Sequence, residues 1–207
     1  MTMDALFAQL KHPNPNLRER AMQQISETRD EHTIPRLIDV LGEEDVVYRR
    51  AAVKTLGVIG PDAVLPLVEL LLNSNNTTIQ ASCTKAMAQI AYNYPEVPFP
   101  NEAIEGLKIA LNDSNPVVYT TAVMALGEVG SPVLEILVEA LNTTDNVALA
   151  VAIVNTLGSM GDNRAAEVLT RFSKDESADS YVRESATSAL SRLEQVIKFQ
   201  QINSQRA

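Results

Sequence analysis

One pattern of cap, apolar helix face and stop recurs six times along the chain, and it constrains the fold more than any other feature. Its clearest copy is Asn115 to Gly130, N-P-V-V-Y-T-T-A-V-M-A-L-G-E-V-G. Counted from Val118, the first apolar positions are Leu17, Tyr48, Ile79, Val118, Leu149 and Val182. Four residues later stand Ala21, Ala52, Cys83, Ala122, Ile153 and Ala186, and eight later Ile25, Leu56, Met87, Leu126, Leu157 and Leu190. Spacings of four and eight fall on one face of a helix with 3.6 residues per turn. Three residues before each first position an Asn or Asp recurs: Asn14, Asp45, Asn76, Asn115, Asn146 and Asp179. Such short side chains accept hydrogen bonds from the orphan N–H groups of a helix start, and Pro15 and Pro116 follow where a missing N–H costs nothing. Glycines at 57, 60, 127, 130, 158 and 161 are expected to end the helices in a left-handed conformation.

Each recurring helix is preceded by a second, shorter amphipathic segment, which makes six helix pairs. The predicted pairs span 3–29, 35–60, 65–91, 102–130, 132–161 and 164–193 within a single repeat domain, 1–207. The register advances by 31 residues per copy until the third and then by 39, from Ile79 to Val118. The extra length is an aromatic and proline insertion, residues 92–100. A polar tail, 194–207, continues as a helix expected to fray after about Phe199. Two helices per unit at this period predict an array in which each unit buries its apolar face against its neighbours.

With hydrophobic residues at 45% but aromatics at 4% and no Trp, any core consists of Ala, Val, Leu and Ile, which suits close helix packing. A formal charge of −9 disfavours nucleic acid, whose phosphates are held by clustered Lys and Arg. The one Cys excludes an internal disulfide framework. With no apolar run of bilayer length and no signal-peptide pattern, a cytoplasmic protein without membrane insertion is expected.

No residue stands out as catalytic. Cys83 fills a position that is Ala in four of the other five copies, so a packed structural thiol is the expectation. His12 and His32 fall in turns without the carboxylate spacing of a metal site, and phosphate-loop and nucleophile-elbow patterns are missing.

Two surface groups are more informative. If the second helices line a concave side, repeats two and three present Arg49, Arg50, Lys54 and Lys85 there, and repeats four and five present Tyr119, Val123, Met124, Val151 and Val154. A basic patch beside an apolar one suits an anionic group on an apolar body, or an amphipathic protein. Two structural alternatives stand beside this. Arg18, Arg49 and Arg183, each one residue after the first apolar position, could bridge to carboxylates of the next repeat, and the apolar helices could be buried on both sides. Tyr92, Tyr94 and Phe99 of the insertion are either a binding loop or a linker packed on the edge.

The motif N-P-x-V-Y-x-x-A-V-x-A-L-G-E-V-G, with its companion Y-R-R-A-A-V-K-T-L-G-V-I-G, resembles the HEAT-like repeat of the phycobilisome lyase family over about residues 5 to 193. The resemblance implies an all-α, right-handed α-solenoid of about six HEAT-like helix pairs. It implies a phycobiliprotein-associated scaffold: a bilin lyase component, if it is an enzyme, or a chaperone for phycobiliprotein subunits. Partners would be those subunits and a second HEAT-like lyase chain. No tightly bound cofactor is implied, only transient contact with a linear tetrapyrrole, whose two propionates and apolar body match the mixed surface. Isomerising members carry an adjacent Cys-His pair, whereas Cys83 is followed by Thr84. The alternative is a non-catalytic adaptor in another photosynthetic, iron-sulfur or proteolytic assembly.

Overall fold

The computed structural model describes residues 1–204, among which there are twelve α-helices, three short 3-10 turns and no strand. By internal packing the chain forms two units, Met1–Ala110 and Leu111 onward. The division falls at the end of the seventh helix, inside the fourth pair and beyond the 92–100 insertion.

The first unit contains α1 (Met3–Gln9), α2 (Pro15–Glu27), α3 (Thr33–Asp39), α4 (Val46–Ile59), α5 (Val64–Asn73), α6 (Thr77–Asn93) and α7 (Asn101–Leu111), whose last residue lies past the division. Here α2, α4 and α6, the second helices of their pairs, lie side by side, and α1, α3 and α5 each pack on the second helix of their own pair. The second unit contains α8 (Pro116–Val129), α9 (Leu134–Thr143), α10 (Val147–Leu157), α11 (Ala165–Lys174) and α12 (Ser180–Ser204). It repeats the plan: α8, α10 and α12 adjoin, with α9 against α10 and α11 against α12. The helix α12 runs past Phe199, and Gln200 lies over Gly161, where a Cβ would come within 2.3 Å of the amide nitrogen. Residues 205–207 of the expected tail lie outside the described residues.

The six caps form as the spacing requires. Asn14 accepts from the Asn16 N–H, Asp45 from Val47 and Tyr48, Asn76 from Thr78 and Ile79, Asn115 from Val117, and Asn146 from Ala148 and Leu149. Asp179 accepts from the Tyr181 N–H at 2.8 Å. The row of mostly small residues four positions into each helix is fully buried, with Ala21, Ala52, Cys83, Ala122, Ile153 and Ala186 all at 0% exposure. One row further in, Ile25, Leu56, Met87, Leu126 and Leu157 are equally buried. Each such side chain contributes about 1.5–3 kcal/mol by leaving water.

The glycines divide into two roles, which corrects the expectation that all six end helices in a left-handed conformation; Gly158 does cap α10, but with φ −66°. Gly60, Gly130 and Gly161 do have positive φ; Gly60, at 88°, leads directly into the Pro61–Ala63 turn and reverses the chain into α5. Gly57, Gly127 and Gly158 instead let neighbouring second helices approach. A Cβ on Gly57 would lie 2.3 Å from Gln89 Cγ, one on Gly127 2.5 Å from Thr156 Cγ2, and one on Gly158 2.7 Å from the Ala189 carbonyl oxygen. Among the described residues no single helix is long and apolar enough to cross a membrane.

Candidate functional site

The arrangement of α4 beside α6 decides which of the sequence-predicted residues share a surface. Arg50 and Lys54 are one turn apart on α4, and both are exposed. Lys85 occupies on α6 the register position that Lys54 occupies on α4, and it too is exposed. Packed helices stand about 8–10 Å apart, so the Lys54 and Lys85 stems rise side by side. Tyr92, seven residues beyond Lys85 on the same outer face of α6, is 67% exposed. Arg50, Lys54, Lys85 and Tyr92 therefore share one face of the first unit, over a length of about 16 Å at 1.5 Å per residue. Among the described residues none of the three cations has a carboxylate within 4.0 Å or makes a hydrogen bond to protein. In a chain with 26 acidic and 17 basic residues, that leaves three charges open to an anionic partner.

Arg49 departs from this group. Its guanidinium donates to the Glu43 carbonyl oxygen in the loop before its own helix. Arg18 does the same to the His12 and Pro13 carbonyls at 2.6 and 2.9 Å, and Arg183 to Glu176 at 3.0 Å. The recurrent arginine is a clamp on the inter-helix loop of its own repeat, satisfying carbonyls that the turn leaves unpaired. It neither bridges to the next repeat's carboxylates nor faces out with Arg50.

The insertion also divides. Tyr94 folds back onto α4, donating its hydroxyl to the Val58 carbonyl at 2.5 Å, and Asn93 donates to the Gly57 carbonyl at 2.9 Å. The ring of Tyr94 occupies the space a Cβ on Gly60 would need, 2.6 Å away. Phe99, half-buried, lies with Tyr94, Val64, Ile90 and Pro98 around one small apolar gap. Tyr94 thus ties repeat three to repeat two, Phe99 packs on repeat three, and Tyr92 alone of the three projects to solvent.

In the second unit the expected apolar groove is largely core. Tyr119, Val123 and Val154 are 6%, 1% and 0% exposed, buried between helices, and Val151 is half-buried. Met124 alone of these stands out, 55% exposed, at the register position of Lys54 and Lys85. Sequence reasoning missed Asp162, whose carboxylate takes a bidentate contact from Arg164, the shortest arm at 2.7 Å. Those hydrogen bonds hold its carboxyl well below the usual range, and Arg164 also donates to the Ser131 carbonyl at 2.8 Å. A D-N-R run in an inter-repeat turn was the available signal.

Cys83 is fully buried, and desolvation pushes its thiol up to about 12, so it is a packed, un-ionised group. His12 accepts the Asn14 N–H through Nδ1, which makes it part of a loop cap, and His32 is exposed beside Glu31. Among the described residues no group of three or more His, Cys, Asp or Glu side chains could hold a metal ion.

A family model described as HEAT repeats matches residues 3–88 and 104–191, leaving out the stretch that holds the insertion. A protein named uncharacterized phycocyanin operon protein Z, from Pseudanabaena tenuis (strain PCC 7409), is 54% identical over 199 residues, 96% of this chain and 98% of that one. Bilin biosynthesis protein CpeZ of Synechococcus sp. (strain WH8020) is 34% identical over 174 residues, 81% of this chain and 93% of that one. Among solved structures, the complex of CpcE and CpcF of phycocyanin lyase from Nostoc sp. PCC7120 aligns with a TM-score of 0.51 at 18% identity. That alignment covers 74% of this chain and 96% of that one and shows a shared helical-repeat fold.

Proposed function

Since the chain belongs to the HEAT-repeat family that includes phycocyanin operon protein Z and bilin biosynthesis protein CpeZ, we propose that it is a phycobiliprotein-associated HEAT scaffold. In this reading it serves as a bilin lyase component or as a chaperone that holds phycobiliprotein subunits for bilin attachment, in the cytoplasm. The observation that carries the reading at the level of residues is the unpaired row Arg50, Lys54 and Lys85 beside the exposed ring of Tyr92.

The chemistry of that row favours carboxylates attached to something flat and apolar. Two propionates of a linear tetrapyrrole, or acidic side chains of a client subunit, pair with the ammonium and guanidinium groups, and the conjugated body or a client apolar residue covers Tyr92. In this reading the acceptor thiol belongs to the client. The scaffold's contribution is therefore orientation. By analogy with the CpcE and CpcF complex, a second HEAT-repeat chain is the expected companion.

The test is reconstitution. The chain is co-expressed with a phycobiliprotein subunit and a bilin source, and the complex captured on a tag is examined by visible absorbance and denaturing gel fluorescence. Recovery of the subunit, with more covalent bilin than in the absence of this chain, is the expected result. No recovery of subunit and unchanged bilin attachment would overturn the reading in favour of a protein-only adaptor.

A further inference from the structure

The first helices of the first unit carry a second surface, separate from the basic row. On α5, Leu65, Glu69 and Leu72 lie at i, i+4 and i+7, one exposed stripe, with the two leucines 54% and 48% open to solvent. On α7, Glu102, Glu105 and Ile109 form the matching stripe, with Ile109 58% exposed. Gly106 brings the two stripes together: a Cβ there would lie 3.1 Å from Val68 Cγ1 and 4.0 Å from Leu72 Cδ1, so α7 lies directly against α5. No large apolar side chain is exposed on α1, α3, α9 or α11, the other first helices.

The apolar residues alone do not say what covers them; the charges around them do. Glu69, Glu102 and Glu105 are exposed, and among the described residues none of the three has a cation within ion-pair distance. Lys108, the cation of α7, is half-buried and already engaged. A partner covering Leu65, Leu72 and Ile109 therefore brings its rim against uncompensated carboxylates. An acidic rim would be repelled and a neutral one would leave those charges partly desolvated without partners, whereas Lys or Arg would pair with them. The seven-residue spacing of Leu65 and Leu72, about 10 Å along the axis, is the span between i and i+7 anchors of a docked helix.

We propose that the α5 and α7 face is a docking site for an amphipathic helix of another protein, one whose apolar stripe is flanked by Lys and Arg. Leu65, Leu72 and Ile109 receive the stripe, and Glu69, Glu102 and Glu105 receive the flanking cations. The inference does not depend on bilin chemistry and would hold for a scaffold with any client on its basic row. One chain would then engage an acidic partner on α4 and α6 and a basic one on α5 and α7.

The probe is a synthetic 18-residue helix with Leu on one face and Lys on both flanks, labelled with fluorescein and titrated with the full chain. A copy with Glu in place of Lys and a sequence-scrambled copy are run beside it. The Lys-flanked peptide should bind at least ten-fold tighter than either control. Substituting Leu65, Leu72 and Ile109 together by Ser should weaken it at least ten-fold, with helical circular dichroism and melting midpoint checked for an intact fold. Because that variant could perturb packing, a second one, Glu69→Lys with Glu102→Lys and Glu105→Lys, is tested as well; it should shift preference to the Glu-flanked peptide. The variant Lys54→Glu with Lys85→Glu should leave Lys-flanked binding at or above wild type. Failure of the wild type to prefer the Lys-flanked peptide, or equal binding by both α5 and α7 variants, would overturn the proposal. Concentration-dependent self-association that the Ser variant abolishes would overturn it in favour of a second copy of this chain.

Discussion

The two units use the same repeat and treat their arginines differently. In the second unit each described arginine is committed to protein: Arg164 to Asp162 and the Ser131 carbonyl, Arg171 to Asn142, Arg183 to the Glu176 carbonyl, and Arg192 to the Asn155 carbonyl. In the first unit Arg18, Arg29, Arg36 and Arg49 are committed in similar ways, but Arg20 and Arg50 are not, and Arg50 shares one face with the unengaged Lys54 and Lys85. The matching positions of the second helices in the second unit carry Thr120, Met124, Val151, Asn155, Glu184 and Ser188, none of them a cation. The difference separates cations that hold the fold from cations that remain for something else. The proposed binding row, Arg50, Lys54 and Lys85, lies in the first unit.

The packing of second helices offers the largest effect by which to probe this contrast. At Gly158 the obstacle is the backbone of α12, which cannot swing aside, whereas at Gly57 it is the flexible Gln89 side chain. Gly158→Ala should cost about 3 kcal/mol and Gly57→Ala about 1 kcal/mol, by the usual range for overpacked contacts. Urea unfolding checks both, and equal losses would show that the two packings are alike. Next comes the division between neighbouring arginines. Arg49→Ala removes a charged donor from the Glu43 carbonyl and should lower stability by about 1–2 kcal/mol. Arg50→Ala should stay within about 0.5 kcal/mol of wild type, the range of an unengaged surface position. The reverse order in a melting comparison would undo the assignment of Arg49 to the loop.

Tyr94→Phe tests the fold-back of the insertion. Losing one partly buried hydroxyl donor to Val58 should cost about 1 kcal/mol, and binding of an anionic partner to the α4 and α6 face should be unchanged. The pH-dependent effect is expected at Asp162, which is 10% exposed and whose partner Arg164 is 55% exposed. Because the Asp162 carboxyl is depressed in the folded chain, its stabilisation is full above the unfolded carboxylate value of about 3.9 and fades as pH falls through the lower folded value. The stability gap between wild type and Asp162→Asn should therefore be visible at neutral pH and shrink below about pH 4. A gap that persists there would assign the cost to lost packing.

The helix pairs were legible because capping and the four and eight spacing are local. Side-chain direction was only partly legible, and the reason is angular. At about 100° per residue, the core positions at 0, 4 and 8 centre on about 40°. Positions 2, 6 and 13 then point about 160–180° away from the core; of these Arg50, Lys54, Lys85, Met124 and Tyr92 are exposed, and Val151, also at position 2, is half-buried. Positions 1 and 5 lie on the flanks, and these are Arg49, Tyr119, Val123 and Val154, which neighbouring elements and loops enclose. The residues expected on one outward face therefore fall on two faces of the helices. Tyr94 and Phe99 were beyond this arithmetic, because Tyr94's partner Val58 belongs to the preceding repeat and Phe99's neighbour Val64 to the far end of its own, each reached only when the chain folds back. The exposed stripe of α5 and α7 was hidden for a related reason: Gly106 looks like a flaw in a helix until Val68 is seen against it.

In the proposed function the row Arg50, Lys54 and Lys85 binds the client. The most direct test of that binding is a titration of a purified phycobiliprotein subunit against wild type and against Arg50→Ala, Lys54→Ala and Lys85→Ala combined, at two salt concentrations. Exposed charge pairs contribute about 0.2–1 kcal/mol each. The triple variant should therefore bind roughly ten-fold more weakly in low salt, and the gap should narrow as added salt screens the wild-type contacts. Equal affinity at low salt, with the subunit still bound, would contradict the assignment and remove this face from the account.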